Sequence, residues 1–330
     1  MIDLLADLFQ GFKEFPERLS DENQQNPLAA LFGELWPFID RLMTEFVNED
    51  GVVEAICRLM KHGMRALSTQ FSPYLQPLIR KALAGYQLNS IGSFIYTVEF
   101  SLTQFSKAEE HTGLFLEALD FICSHTVQVL ASKENCQRSR DLVNDFFGLS
   151  TRYLRYNKNV FFSCSQLESF VQILLNSVGL ESRDAAEVHS RFIKELLKII
   201  QQDLFNGETQ PDPNNQIVKN QMHMWTFFKQ NGGTLIQEYF NALLLVPSKE
   251  VADIFTETVG VLCVTFMEEQ SLVLTWMSAA VQNLPINVLT LENKQSMVDT
   301  VSDSSQFRLS HLHYELGLLA KRARSSATRS

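Results

Sequence analysis

Apolar side chains recur along this chain at three- and four-residue intervals from end to end, and no stretch alternates apolar and polar residues long enough for a half-buried strand. The pattern predicts helices over 2–13, 28–48, 52–68, 72–87, 89–105, 111–131, 138–156, 160–178, 183–204, 216–230, 233–245, 249–267, 270–283 and 306–322. Helix breakers separate them at Asn48–Gly51, Ser72-Pro73, Asn157–Asn159, Glu181–Asp184, Gly232-Gly233 and Pro247-Ser248. Gly232-Gly233 is expected to form a tight turn, where two residues without a Cβ bend most readily. The polar runs Pro16–Pro27 and Asn206–Asn215 read as loops between helices rather than domain linkers. The turns at these breakers are short, so the helices they join should run antiparallel.

Taken in pairs, the helices give units over 28–68, 72–105, 111–156 and 160–204, close to the about 40–47 residues of HEAT or armadillo helix pairs. Such a pair cannot cover its own apolar faces and must stack on the next pair. The expected fold class is therefore all-α: an α-solenoid of antiparallel helix pairs, a HEAT/armadillo-like superhelix, continuous over 1–322 and followed by a basic, disordered tail at 323–330. The first helix, MIDLLADLFQGF, starts in register with no capping residue before it, which suggests further repeats ahead of it in a longer parent protein.

Composition agrees with a long helical stack. Of 330 residues 45% are hydrophobic, with 25 Phe and only 9 Pro, and the mean hydropathy is −0.06. No apolar run reaches the roughly 18 residues of a membrane span, and Asp3 and Asp7 stand where a signal peptide would carry Lys or Arg. The expectation is a soluble, intracellular protein with no membrane insertion. Cys57, Cys123, Cys136, Cys164 and Cys263 are odd in number and widely spaced, and read as reduced core thiols. No Cys or His pairs stand at zinc-site spacing; His311 and His313 are too isolated, so neither metal nor other cofactor is expected. A phosphate-binding Gly-rich loop, a nucleophile elbow and a zinc-protease helix are all missing, so no enzyme is expected.

Charge singles out one helix. The chain carries 28 Lys+Arg against 38 Asp+Glu, a formal net charge of −10. In VVEAICRLMKHGMRAL, at 100° per residue, Val52, Ile56, Leu59, Met60, Gly63, Met64 and Leu67 share one broad arc, and Arg58, Lys61, His62 and Arg65 gather opposite. Four donors so placed could engage several carboxylate or phosphate groups together, with strong salt dependence. The plain alternative is a solvated face, with Glu54 muting Arg58 at i,i+4. Arg152 and Arg155, opposite the Leu142, Phe146, Leu149 and Tyr153 face, could extend the track; the simpler reading pairs Arg152 with Asp145 or with a neighbouring loop. Glu187, Arg191 and Glu195 form an i,i+4 ladder that serves helix stability. Phe94, Phe100, Phe121, Phe146, Phe227 and Phe255, with Trp36, Trp225 and Trp276, are expected in the core. The basic tail KRARSSATRS does not outweigh an acidic body, and no direct nucleic-acid binding is expected.

An ordered series of phrases resembles the C-terminal part of the importin-β superfamily, in the branch of the SR-protein transportin and importin thirteen. The phrases are LWPFI at Leu35–Ile39, VVEAICRLMKHGMRAL at Val52–Leu67, FSPYLQPLI at Phe71–Ile79, DLVNDFFGLSTRYLRYNKNVFF at Asp141–Phe162, LVLTWMSAAVQNLP at Leu272–Pro285 and the closing helix at Arg308–Arg324. The resemblance implies a nuclear transport receptor that holds protein cargo on a concave surface lined by the second helix of each pair. It also implies contact with nucleoporin Phe-Gly repeats and shuttling between cytoplasm and nucleus through the nuclear pore. Ran GTPase is a partner only if N-terminal repeats are present in the parent protein. A basic helix of that family, which contacts Arg/Ser-rich and phosphorylated segments, is similar to Val52–Leu67, and the positions carried over are Arg58, Lys61 and Arg65. Ala55 and Lys61 stand where the family's helix is basic and arginine-bearing, which removes a bidentate fork for phosphate but keeps attraction to acidic segments. The alternative is a helical-repeat interaction scaffold without transport activity.

Overall fold

The computed structural model describes residues 2–13, 26–207, 211–245, 248–285, 290–302 and 309–327. Among these residues there are helices and connecting turns and no strand. The chain divides into two compact units, one built from Met1–Val129 and Asp145–Phe170, the other from Leu130–Asn144 and Val171–Ser330.

In the first unit the helices are α1 (Ile2–Gly11), α2 (Pro27–Glu45), α3 (Asp50–Leu67), α4 (Ser72–Asn89), α5 (Gly92–Phe105) and α6 (Thr112–Val129). A short α7 (Lys133–Arg138) precedes α8 (Arg140–Tyr156), whose part from Asp145 onward returns to this unit with α9 (Lys158–Ser163) and the start of α10 (Leu167–Asn176). Alternate helices pack on one another: α1 on α3 and α3 on α5 form one layer, α2 on α4 and α4 on α6 the other. This two-layer stack is what the helix-pair pattern predicts, and the fold is an all-α helical repeat.

Local sequence explains where the elements begin. Asn26 caps α2 by accepting from the Leu28 N–H, Pro27 follows at the first helical position, and the Asn26 amide donates to the Ala66 carbonyl at 2.7 Å. One buried asparagine thus starts a helix and ties it to the end of its partner. Further buried bonds also step about one repeat along the chain. Tyr86 meets Thr126 at 2.7 Å across 40 positions, and the Tyr153 hydroxyl donates to the Phe115 carbonyl at 2.8 Å across 38. All five cysteines are buried and reduced, and burial raises Cys57 and Cys136 to about 11 and Cys263 to about 12.

The second unit adds α11 (Arg183–Leu204), α12 (Gln216–Leu245), α13 (Lys249–Thr265), α14 (Gln270–Gln282), α15 (Leu291–Ser302) and α16 (Leu309–Ala327). Here α11, α13 and α16 pack in succession, as do α12, α14 and α15. His189 on α11 is 2% exposed. Its Nε2 lies 3.2 Å from the Leu174 carbonyl, to which it donates, and its Nδ1 lies 3.1 Å from the Tyr239 hydroxyl, from which it accepts. That arrangement suits the neutral ring, and burial lowers the pKa to about 4.

Several expected boundaries are corrected. Gly232-Gly233 is no turn: α12 runs unbroken through it, and a Cβ at Gly232 would come within 2.5 Å of the Trp276 ring of α14. The pair is there to let an indole lie against the helix backbone. The expected helix 138–156 is α8, which starts at Arg140, while α7 forms in what reads from the sequence as a connection; 160–178 is α9 and α10, with α9 capped by Asn157. Helix α15 is an addition, and α16 continues past the expected end at 322. Phe121 and Trp36 are half-buried instead of core. Most of the polar run at 16–27, part of that at 206–215, and Pro247, Phe307 and the final residues 328–330 lie outside the described residues.

Two outcomes are expected. Gly232→Ala, which would gain about 1 kcal/mol in an exposed helix, should instead cost roughly 1–3 kcal/mol by overpacking against Trp276; urea unfolding at equilibrium gives the sign. For His189 the folded pKa lies below the unfolded one, so the unfolded chain binds more protons between them and stability falls as pH drops through that window. Between about pH 7 and pH 5 the loss from this residue should be about 2 kcal/mol, and His189→Gln should flatten that part of the profile.

Candidate functional site: a basic groove on helix α3

Helix α3 is covered on most of its circumference, by α1 on one flank, α5 on the other and α2 behind. Val53, Ile56, Cys57, Leu59, Met60, Gly63, Met64, Ala66 and Leu67 are all buried. What remains open is a line through Glu54, Arg58, Lys61 and Arg65, spaced at i, i+4, i+7 and i+11. This line forms one wall of a groove of about 610 Å³. Gln10 of α1 borders it on one side, and Gly92, Ser93 and Tyr96 of α5 with Asp145 of α8 on the other.

The cations along the line are held differently. Arg58 is already engaged: Nη2 meets Glu54 Oε1 at 3.1 Å and Nη1 meets Asp3 Oδ1 at 3.5 Å. The expected i,i+4 pair is therefore present, and α1 contributes a second carboxylate. Lys61 Nζ stands 5.4 Å from the Tyr96 ring centre and 5.8 Å from that of Phe100, and the Arg65 guanidinium carbon stands 5.0 Å from Phe100. Among the described residues neither Lys61 nor Arg65 has a carboxylate within 4.0 Å. Cation–π contacts at exposed sites are worth about 0.5–1 kcal/mol each, enough to order the heads while leaving their charge uncompensated.

His62 departs from its expected place. It lies not on the open face but under the α1 flank, 7% exposed, at the edge of the groove. A helical wheel treats its angle as polar because Lys61 and Arg65 are near it; packing of α1 covers it. Burial lowers its pKa, and Lys61, Arg65 and Arg58 add to the effect, with Asp7 opposing them.

Asp145 is the groove residue that sequence reasoning misplaced. The sequence offers it, or a neighbouring loop, as the partner of Arg152; the structure pairs Arg152 with Glu99 of α5, Nε to Oε1 at 2.9 Å. Asp145 instead presses its carboxylate against Gly92, where a Cβ would lie 1.8 Å from Oδ2. Gly92 opens α5, so the carboxylate sits at a helix N-terminus, where partial positive charge favours it. Neither Arg152 nor Arg155 lines the groove. No signal within one helix could have shown this, because it joins positions more than fifty residues apart.

Residues 26–130 match the sequence profile described as the Transportin-3/Importin-13 fourth TPR domain, and this segment holds the whole of α3 and α5. The chain resembles the transportin-3/importin-13 branch of the importin-β superfamily. A solved structure titled "Importin13 cytosolic state" superposes with a TM-score of 0.76 at 17% identity, covering 98% of this chain and 34% of that one. An uncharacterized protein of Schizosaccharomyces pombe is 20% identical over 287 residues, which are 86% of this chain and 29% of the relative. The chain thus spans about a third of the length of these proteins. The karyopherin-type fold follows from these likenesses. Among the described residues no helix is long and apolar enough to cross a membrane, and no group of three or more His, Cys, Asp or Glu is placed to hold a metal ion.

The Arg152–Glu99 contact is half-exposed and should couple by about 1 kcal/mol or less. A double-mutant cycle with Arg152→Gln and Glu99→Gln, read by urea unfolding, measures it; no coupling would mean that α8 is not fastened to α5 here.

Proposed function

We propose that this chain is the cargo-holding part of a nuclear transport receptor of the importin-β type, with an acidic segment of protein cargo seated in the groove of α3. The observation that carries the reading is the pair Lys61 and Arg65, ordered on an aromatic shelf with no described carboxylate to neutralise them, inside the segment that matches the transportin-3/importin-13 domain. In a chain of net charge −10, such a pair is a local exception. Arg58 contributes less than its sequence position suggests, since Asp3 and Glu54 already occupy it. Arg152 and Arg155 belong to the proposal as outlying contacts. Shuttling, contact with nucleoporin Phe-Gly repeats, and dependence on Ran through repeats beyond this chain are part of the same proposal.

Binding of this kind works by charge neutralisation in a partly desolvated groove. Each charge-assisted hydrogen bond is about twice as strong as a neutral one, and salt at about 0.15 M screens exposed charge beyond roughly 8 Å. Cargo captured from cell extract at low salt should therefore be lost from a Lys61→Glu/Arg65→Glu variant that keeps its helical circular dichroism, and weakened in the wild type by added salt. The chain should also be retained on immobilised Phe-Gly repeats. An unchanged set of captured proteins would refute the groove as the cargo surface, and passage through the Phe-Gly column without delay would leave a scaffold in place of a shuttling receptor.

A further inference from the structure

The groove borders on a histidine whose bonding is incomplete. His62 Nδ1 is buried without a hydrogen-bond partner among the described residues, while the ring lines the groove beside Lys61 and Arg65. Leaving a buried nitrogen unpaired is costly. Three other histidines differ: His111 and His125 each meet a serine hydroxyl at 3.0 Å, and His189 is bonded through both nitrogens. None of these lines the groove.

The charges around His62 come from several elements. Arg58, Lys61 and Arg65 lie on its own helix and disfavour the imidazolium; Asp7 of α1 favours it. From α5 the groove receives the neutral Ser93 and Tyr96, while Glu99 is held by Arg152. Asp145 of α8 is drawn to the N-terminus of α5. On α2, Asp40 is held by Lys81 and Arg41 by Glu45, leaving Glu34 exposed. With the groove empty, burial and three nearby cations keep the ring neutral at pH 7. An acidic side chain entering beside Lys61 and Arg65 offsets the cations that disfavour the imidazolium, so the charged form gains in the complex what it lacks without it.

We infer that an acidic peptide enters this groove together with a proton, which His62 takes up. The inference rests on the reading of the groove as a cargo surface and adds its proton linkage. Because the ring holds its proton more firmly in the complex, affinity is level above the bound pKa, rises as pH falls between the bound and free values, and is level again below the free one. Release is therefore favoured by higher pH, and a ligand whose charge is fixed across this range reports the effect cleanly.

A capped octaglutamate peptide is such a probe, since its carboxylates titrate near pH 4 and a phosphopeptide's second ionisation near pH 6 would add its own protons. Calorimetric titration of the full chain in two buffers of different ionisation heat, from about pH 8 to about pH 6, counts the protons. The wild type should take up a fraction of one proton and tighten by up to about tenfold for each unit that the ring's pKa rises. His62→Gln should bind without uptake and with a flat profile. Binding with no buffer-dependent heat, or with the same pH slope in wild type and variant, overturns the inference and leaves the cargo groove standing. A peptide that is not held at any pH overturns both. Should His62→Gln fail to fold, the buffer dependence of the wild type decides alone.

Discussion

The site depends on how completely α3 is enclosed. With α1 and α5 on its flanks and α2 behind it, every position that could carry an apolar side chain inward does so, and only a narrow line of the helix reaches the surface. The cations are neighbours because no other sector was left open to them. Crowding like charges on one line costs energy in water and more beside a low-dielectric core. The structure offsets this in two ways. Carboxylates from α1 and α3 take up Arg58, and aromatic rings of α5 lie beneath Lys61 and Arg65 without cancelling their charge.

Much of the architecture was legible because helix periodicity is written into each segment independently of its neighbours. The pairing of helices followed from short turns, and the two-layer stack follows in turn from pairing. Where sequence reasoning failed, the deciding fact lay in another segment. Gly232-Gly233 looks like a turn until Trp276 is placed against it. His62 looks polar until α1 covers it, and Asp145 looks like the partner of Arg152 until Gly92 admits its carboxylate and Glu99 takes the arginine. The short helix α9 merges with α10 in the sequence pattern because Cys164–Gln166 carry no strong breaking signal, and α7, at six residues, is too short to show a helical period. Of the candidate residues, Arg58, Lys61 and Arg65 come together on one wall as their spacing implies. His62 joins them from below, and Arg152 and Arg155 stand on another helix.

Polar bonds inside such a stack have a second role besides satisfying buried groups. Apolar layers tolerate sliding by one helical turn, since one leucine packs much like another. A buried bond between positions about forty residues apart tolerates none. Asn26 to Ala66, Tyr86 to Thr126 and Tyr153 to Phe115 each fix one helix of a repeat against its neighbour in the first unit. His189 with Tyr239, and Ser190 with Thr258 at 2.5 Å, do the same in the second. The groove on α3 inherits this precision, because the rings of α5 meet Lys61 and Arg65 only at one register of the two helices.

The five reduced thiols, distributed over both units, give the molecule an internal clock. A thiolate is the species that reacts with alkylating reagents, and burial holds Cys57, Cys136 and Cys263 far from forming one. Their modification therefore waits on local opening, when the thiol returns to an ordinary pKa in water. Each cysteine then times the opening of the helices around it, and differences in labelling rate along the chain map which layers of the stack part first.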